Sequence, residues 1–454
     1  MDSRSRGWGS ACKAGLVHDL DSALEVIRRR DDTAAKHAHA LWQVMRATAA
    51  HPTKVTRYEV QQMVWGTLPL AARRPDGADA FADVHDTCAA FAELLDLLGH
   101  TGYADLCRGE ITRAILDAED ARYRVLVEQA WRASGVHPPN TPTLTWSDRA
   151  GDVEQALRAA AGRMLEEAID AGTLRSDGDD ESDRVELVMR LLMSPETDGT
   201  DTWFGKLLDE RLDSWTRGRG SQTRRELLVR LRPDVRRAPD AEGHDLPALE
   251  SLLDACRGPG VRLTDHGYLP TDLVADLAAI MPACRENPST GRGESRWPPV
   301  RLLRELASDL GLVERDNRRL RLTDRGATVV DDPDALLMAV GEGIVALDRP
   351  ALAVIQEVTF AALLLEDRMS PDRIFGKITY VLGEEQWTDP NGAPLGAAHA
   401  EKVGSWLLRR LRTLDALDAD WTARRVGLTE AGVSIARWAL RTRVLFPQRT
   451  LAIP

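Results

Sequence analysis

At 454 residues, with 43% hydrophobic and 29% charged side chains, the chain is too long for one hydrophobic core and apolar enough to fold along most of its length. Its formal net charge of −12 excludes a general polyanion binder, because long-range repulsion from phosphate opposes encounter, but leaves room for local basic faces. The five cysteines (Cys12, Cys88, Cys107, Cys256 and Cys284) are odd in number and contain no C-x-x-C pair, which argues against a disulfide framework or a zinc knuckle and for a reduced cytosol. No apolar run of signal-peptide length opens the chain, and no stretch approaches the ~18 apolar residues of a membrane helix, so a cytoplasmic protein with no membrane partner is expected.

Residues 1–15 are polar and Gly-rich and read as a disordered terminus. From 16 to 136 the apolar spacing is helical. Leu24 and Ile27, then Leu41, Val44 and Met45, then Phe91, Leu94, Leu95 and Leu98 recur at three and four residues. Ile111, Ile115, Leu126 and Trp131 suggest one further helix from Ala104. The run His137-Pro138-Pro139-Asn140-Thr141-Pro142 cannot propagate a helix and is expected to end this first helical domain. A second helical segment covers 148–232, broken by a solvated acidic loop from Ser176 to Asp183. Pro233, Pro239, Gly243 and Pro247 then mark a linker.

Beyond the linker one phrase is written three times: Val261-Arg262-Leu263-Thr264-Asp265-His266-Gly267, Leu320-Arg321-Leu322-Thr323-Asp324-Arg325-Gly326 and Val426-Gly427-Leu428-Thr429-Glu430-Ala431-Gly432. It reads as a strand closing at Leu. The Thr hydroxyl then accepts from an orphan amide of the next helix, and the acid favours that helix's positive N-terminus. Before the second copy, Val300, Leu302, Leu303, Leu306 and Leu310 mark a helix stopped by Gly311. Leu312–Arg315 and Arg319–Leu322 are strands around the turn Asp316-Asn317-Arg318.

The third copy repeats the arrangement. Val403, Trp406, Leu407, Leu408 and Leu411 form the helix, Leu417–Leu428 a hairpin with Asp420 to Ala423 near its tip, and Thr429 caps a helix to Arg443. The pairs Leu302-Leu303 and Leu407-Leu408 precede the Leu-Thr pairs by 20 and 21 residues, so two copies of one module are expected. The first copy of the phrase follows only a short helix, Leu249–Cys256, and reads as an extra strand or a degenerate wing; the helix Thr271–Ile280 and a loop over 282–299 follow it. The expected fold class is mostly α and multidomain, with tandem winged-helix (α+β) modules over 248–340 and 344–450 in the C-terminal half.

The segment Val261 to Ala335 resembles actinobacterial proteins related to the plasmid open-reading-frame-three-like family. The resemblance is carried by Leu263-Thr264 with Gly267-Tyr268-Leu269-Pro270, by the helix from Val300 to Leu310, and by Leu322-Thr323 with Gly326. It extends weakly to the C-terminus and does not reach residues 1–250. It implies a winged-helix-like fold and a link to mobile or accessory genes, and it brings no biochemical activity.

A helix-turn-helix protein of the winged type reads DNA by placing one helix in the major groove while the wing touches the backbone. Arg301 and Arg304 on the first such helix, and Arg315, Arg318, Arg319, Arg321 and Arg325 with its wing, are the first candidates for phosphate contact. Arg409, Arg410 and Arg412 crowd the second helix, with Arg424 and Arg425 on the second wing. Between Glu401 and Arg449 ten Lys/Arg face five Asp/Glu, a local +5 in an acidic chain. The same arginines are equally consistent with solvated faces of modules that serve protein contacts, since fold does not fix function.

The remaining features are plainer. Between Arg217 and Arg237 eight arginines face only Glu226 and Asp234, but Leu227, Leu228 and Leu231 mark an amphipathic helix with a basic outer face. His37 and His39 point to different sides of a helix and are poorly placed to share a metal, and no nucleotide-binding, hydrolase or metallopeptidase motif is present. No catalytic residue, metal or cofactor is therefore assigned. Trp42, Trp65, Trp131, Trp203, Trp215, Trp406 and Trp438 sit at helix-compatible apolar positions and read as packing residues.

The leading expectation is a nucleic-acid-binding accessory or regulatory protein, for example in transcription regulation. The alternative is a protein-interaction scaffold whose modules pack against each other while the helical N-terminal half holds a partner. An enzyme with a dispersed site is the third.

Overall fold

The structure, a computed structural model, describes residues 19–47, 55–73, 83–147, 150–175, 181–195, 201–217, 220–237, 245–286, 288–289, 291–345, 349–420 and 424–446. The terminus 1–15, residues 176–180 of the acidic loop, 238–244 of the linker and 421–423 of the second hairpin tip lie outside these residues. The described chain is mostly helical with small antiparallel sheets. None of its helices is long and apolar enough to cross a membrane. It divides into two compact units, residues 1–142 with 149–207, and residues 143–148 with 208–454.

In the first unit the chain forms α1 (Leu20–Arg28), α2 (Asp32–Ala47), α3 (Arg57–Gln61), α4 (Leu68–Ala72), α5 (Val84–Leu97), α6 (Thr101–Arg108), α7 (Glu110–Leu116), α8 (Asp120–Ser134), α9 (Asp152–Asp170) and α10 (Glu181–Met193). Ile27, Leu41, Met45, Phe91, Leu94 and Leu95 are buried, as their spacing predicts, where α1, α2 and α5 pack together. Val44 and Ile111 instead face solvent.

The single helix expected from Ala104 is three. Gly109 takes an extended conformation that ends α6, and α7 and α8 follow as separate helices. Glu181 to Asp183, expected in a loop, form the first turn of α10, where acidic side chains suit the helix dipole. Between α3 and α4 a π-helical segment, Gln62–Thr67, widens the backbone. It places Trp65 so that its indole donates to Thr112 (2.8 Å) and its carbonyl accepts from the Tyr123 hydroxyl (2.8 Å).

The division between units falls within α11 (Trp203–Arg217). In the second unit α12 (Gln222–Arg236) runs past Arg232 with Pro233 inside its end, rather than stopping before the expected linker. Two successive runs of elements then repeat. The first is α13 (Pro247–Ala255), β1 (Val261–Arg262), α14 (Thr271–Ile280), α15 (Pro282–Glu286), α16 (Pro298–Asp309), β2 (Val313–Asp316), β3 (Arg319–Leu322), α17 (Asp324–Val329) and α18 (Pro333–Gly343). The second is α19 (Pro350–Leu365), α20 (Pro371–Glu384), α21 (Ala397–Thr413), β4 (Leu417–Asp420), β5 (Arg425–Leu428) and α22 (Glu430–Leu445).

The repeats match in register as well as order. In the first, β3 lies between β1 and β2, with Val261 opposite Leu320 and Val313 opposite Leu322. In the second, Leu417 lies opposite Leu428, and Met369 forms a single bridge to Val426, the position matching Leu320. Each central helix ends in a left-handed residue, Gly311 or Asp415. That residue's carbonyl accepts from the hydroxyl of the capping Thr, Thr323 (2.6 Å) or Thr429 (2.9 Å). The two separations are 12 and 14 residues, so the second hairpin is the longer. Counting back from the left-handed residues sets Leu303 against Leu407 and Leu306 against Arg410, one step from the register that the Leu-Leu pairs suggest.

The three phrases part company here. Thr323 and Thr429 accept from the amides of Gly326 (3.0 Å) and Gly432 (3.1 Å) and cap their helices as expected. Thr264 caps no helix. Its hydroxyl accepts from the Tyr268 amide (3.1 Å) in a turn closed by Gly267 at φ +77°, and α14 starts only after Pro270. The first copy is therefore neither a wing nor a helix cap: it supplies β1, the outer strand beside β3. Thr429→Ala is expected to cost about 1 kcal/mol in urea unfolding, the usual loss for a Thr cap; an unchanged midpoint would remove the capping role.

Candidate nucleic-acid interface

The arginines singled out in the sequence fall into three groups in the second unit. Six hold carboxylates. Arg304 donates to Glu294 (2.8 Å), whose side chain is fully buried and also accepts from the Leu269 amide (2.6 Å). Arg301 pairs with Glu305 one turn along α16 (3.6 Å), Arg318 with Asp265 (2.9 Å) and Arg321 with Asp316 across the hairpin (2.9 Å). Arg410 binds Asp309 and Arg412 binds Glu286, each a carboxylate of the preceding repeat.

Two further arginines are held by backbone. Arg315 donates to the Asn317 carbonyl (3.0 Å), and Arg319 to the carbonyls of Pro259 and Gly260 (3.0 and 3.1 Å). Arg325, on α17, bonds Glu342 and the carbonyls of Leu310 and Ala339. Of these arginines, Arg409, Arg424 and Arg425 are exposed with neither an ion pair nor a side-chain hydrogen bond among the described residues. All three belong to the second repeat.

Arg410 is the largest departure from the sequence expectation. It occupies the inward position that Leu306 fills in the first repeat, it is buried, and its guanidinium lies over the Trp406 ring at 3.9 Å. A guanidinium so placed is not presented to a phosphate backbone. The same geometry sets the outward faces. On α16 these are Arg301, Glu305 and Ser308, close to neutral; on α21 the matching positions are Ser405, Arg409 and Arg412. The two helices contact each other directly, so part of each is covered by the other.

The basic stretch at 217–237 behaves as an amphipathic helix. Leu227, Leu228 and Leu231 are buried, while Arg217 and Arg232 share Asp213, and Arg236 pairs with Asp209. Arg224 is different. It grips Glu357 of α19 with two bonds (2.7 and 3.1 Å) and reaches Glu385, while Arg443 of α22 lies 3.6 Å from Glu357. This cluster escaped the sequence reading, because Arg224 lies 133 and 161 residues from its two carboxylates with no shared motif.

Among the described residues no group of His, Cys, Asp or Glu could hold a metal ion. His37 meets Thr87 (3.2 Å) and His39 meets Gln43 (3.0 Å). Cys88, Cys107, Cys256 and Cys284 are free and buried. Trp65 is buried, and Trp42 and Trp131 pack half-buried against the first unit's core; Trp203, Trp215, Trp406 and Trp438 are half-buried. Comparison of the chain with protein-family models, with curated proteins and with solved structures finds no match.

Proposed function

We propose that residues 247–329 and 350–445 are tandem winged-helix modules and that the chain works as a protein-interaction scaffold rather than as a reader of nucleic acid. The winged-helix assignment is supported by a shared order of helix, outer strand or bridge, helices and hairpin, in which α15 has no counterpart in the second run, and by the matched strand register. One observation carries the functional choice. α21, the helix that a DNA-reading winged helix would insert in the major groove, packs on its counterpart α16 and gives Arg410 and Arg412 to the carboxylates of the preceding module. An arginine already paired to a carboxylate gains little from a phosphate, and a chain of −12 has no surplus to draw on.

Purification from the cells that make the protein, at physiological salt and with nuclease present, is expected to return a stoichiometric protein partner. A complex that dissolves on nuclease treatment, or a monomer alone, would contradict the scaffold. The competing nucleic-acid reading keeps one foothold, the free Arg409, Arg424 and Arg425.

A further inference from the structure

The second unit contains a cavity of about 650 Å³ between α14 and the segment leading into α16, within the size range of small-molecule sites. Ala275, Ala278 and Ala279 on one face of α14 and the Trp297 ring supply apolar walls, and Arg285 and Arg292 also line it. Both are exposed and hold no carboxylate within 4 Å among the described residues, although the charge of Arg285 is felt at Asp415.

The walls are fixed in advance. The Trp297 indole donates to the Gly291 carbonyl (2.8 Å), which sets the ring plane, and a Cβ at Gly291 would overlap the Arg296 side chain. Buried Glu294 ties this segment both to the Leu269 amide before α14 and to Arg304 of α16. One carboxylate, Asp272, also lines the cavity and accepts from the Thr271 hydroxyl (3.2 Å). Two guanidiniums against one carboxylate leave the lining with one positive charge in excess, and Asp415, outside the lining, offsets part of it at Arg285.

The geometry points to a binding site for a small monoanion with a flat apolar body, a carboxylate of the aromatic class. Its head is held by Arg285 and Arg292, and its body lies between Trp297 and the alanine face of α14. A guanidinium suits a carboxylate because it offers parallel donors, and the apolar walls reward burial of the ring. The site lies inside the first module, so its failure leaves the scaffold reading standing, and the converse also holds.

Calorimetric titration of the full chain separates head from body with three probes: benzoate, acetate and benzyl alcohol. Benzoate is expected to saturate with a Kd at or below about 1 mM, and each partial probe to bind at least about tenfold more weakly. Arg285→Ala/Arg292→Ala is expected to weaken benzoate at least about tenfold with unchanged helical circular dichroism, since both side chains are exposed. Trp297→Phe keeps a ring in place and is expected to retain binding. No saturation by benzoate, equal binding of acetate or benzyl alcohol, or unchanged affinity in the double variant would each overturn the site.

Discussion

Glu357→Gln is expected to destabilise the second unit by about 3–5 kcal/mol, the cost of leaving a buried charge without its partner. Glu357 sits on α19 with its side chain fully buried, and it holds Arg224 of α12 and Arg443 of α22 at once. Arg224 also reaches Glu385, which accepts from the Trp387 indole (2.7 Å) and the Ser221 amide (2.9 Å). Four helices, α12, α19, α20 and α22, therefore meet through two carboxylates and two guanidiniums. The neutral amide keeps the shape but leaves Arg443 without a carboxylate and Arg224 with Glu385 alone.

Burial opposes the charge on Glu357, yet Arg224, with Arg443 behind it, more than offsets this and holds the carboxyl below its ordinary value of 4.5. A folded-state value below the unfolded one gives stability that is fully present above 4.5 and is lost as pH falls through the folded value. The native protein should therefore lose stability on acidification in that window, and Glu357→Gln should flatten that limb. Guanidinium unfolding followed by Trp fluorescence measures both. A loss below about 1 kcal/mol would place the cluster among ordinary surface pairs.

Gly432→Ala is the second large expectation, and its sign is the informative part. In the first turn of a helix, Ala normally stabilises by about 0.5–1 kcal/mol over Gly. Here a Cβ would overlap the Ala416 carbonyl oxygen, which accepts from the Thr429 amide (3.3 Å) and is not free to move away. The substitution is expected to destabilise by about 3 kcal/mol, the upper part of the overpacking range. Gly326→Ala meets the Leu312 carbonyl in the same way and should behave alike. Stabilisation by either variant would mean that α22 or α17 does not press on the backbone ahead of its hairpin.

These glycines explain why the repeated phrase was legible and where it misled. A Leu-Thr-acid-x-Gly sequence satisfies a helix cap, and it satisfies a tight turn equally well, because Thr supplies an acceptor and Gly tolerates φ > 0. At 323 and 429 the chain continues directly into helix. At 264 Pro270 delays the helix, and Gly267 closes the turn instead. The α16–β2–β3 run was readable from its apolar spacing and from Asn317, which takes a left-handed conformation at φ +54°.

Other features had no local signal. Met369 contributes a single bridge, too short for any alternation to announce it. The register of α21 hinged on one residue. Aligned by its leucines Arg410 faces outward; aligned by the left-handed residue that ends the helix it faces inward, and the structure takes the second. The Asp309–Arg410 pair spans 101 residues, and such a pairing depends on how two modules dock rather than on any stretch of sequence.

The most direct test is a titration of the full chain with a labelled DNA duplex of about 30 bp between about 50 and 200 mM salt, with Arg409→Ala/Arg424→Ala/Arg425→Ala beside it. If Arg410 and Arg412 of α21 are taken up by Asp309 and Glu286 and the free arginines do not suffice, binding at the lowest salt is no tighter than about 10 μM and the triple variant matches the native chain. Submicromolar binding that weakens steeply with salt and vanishes in the triple variant would contradict this account and return the second module to nucleic acid.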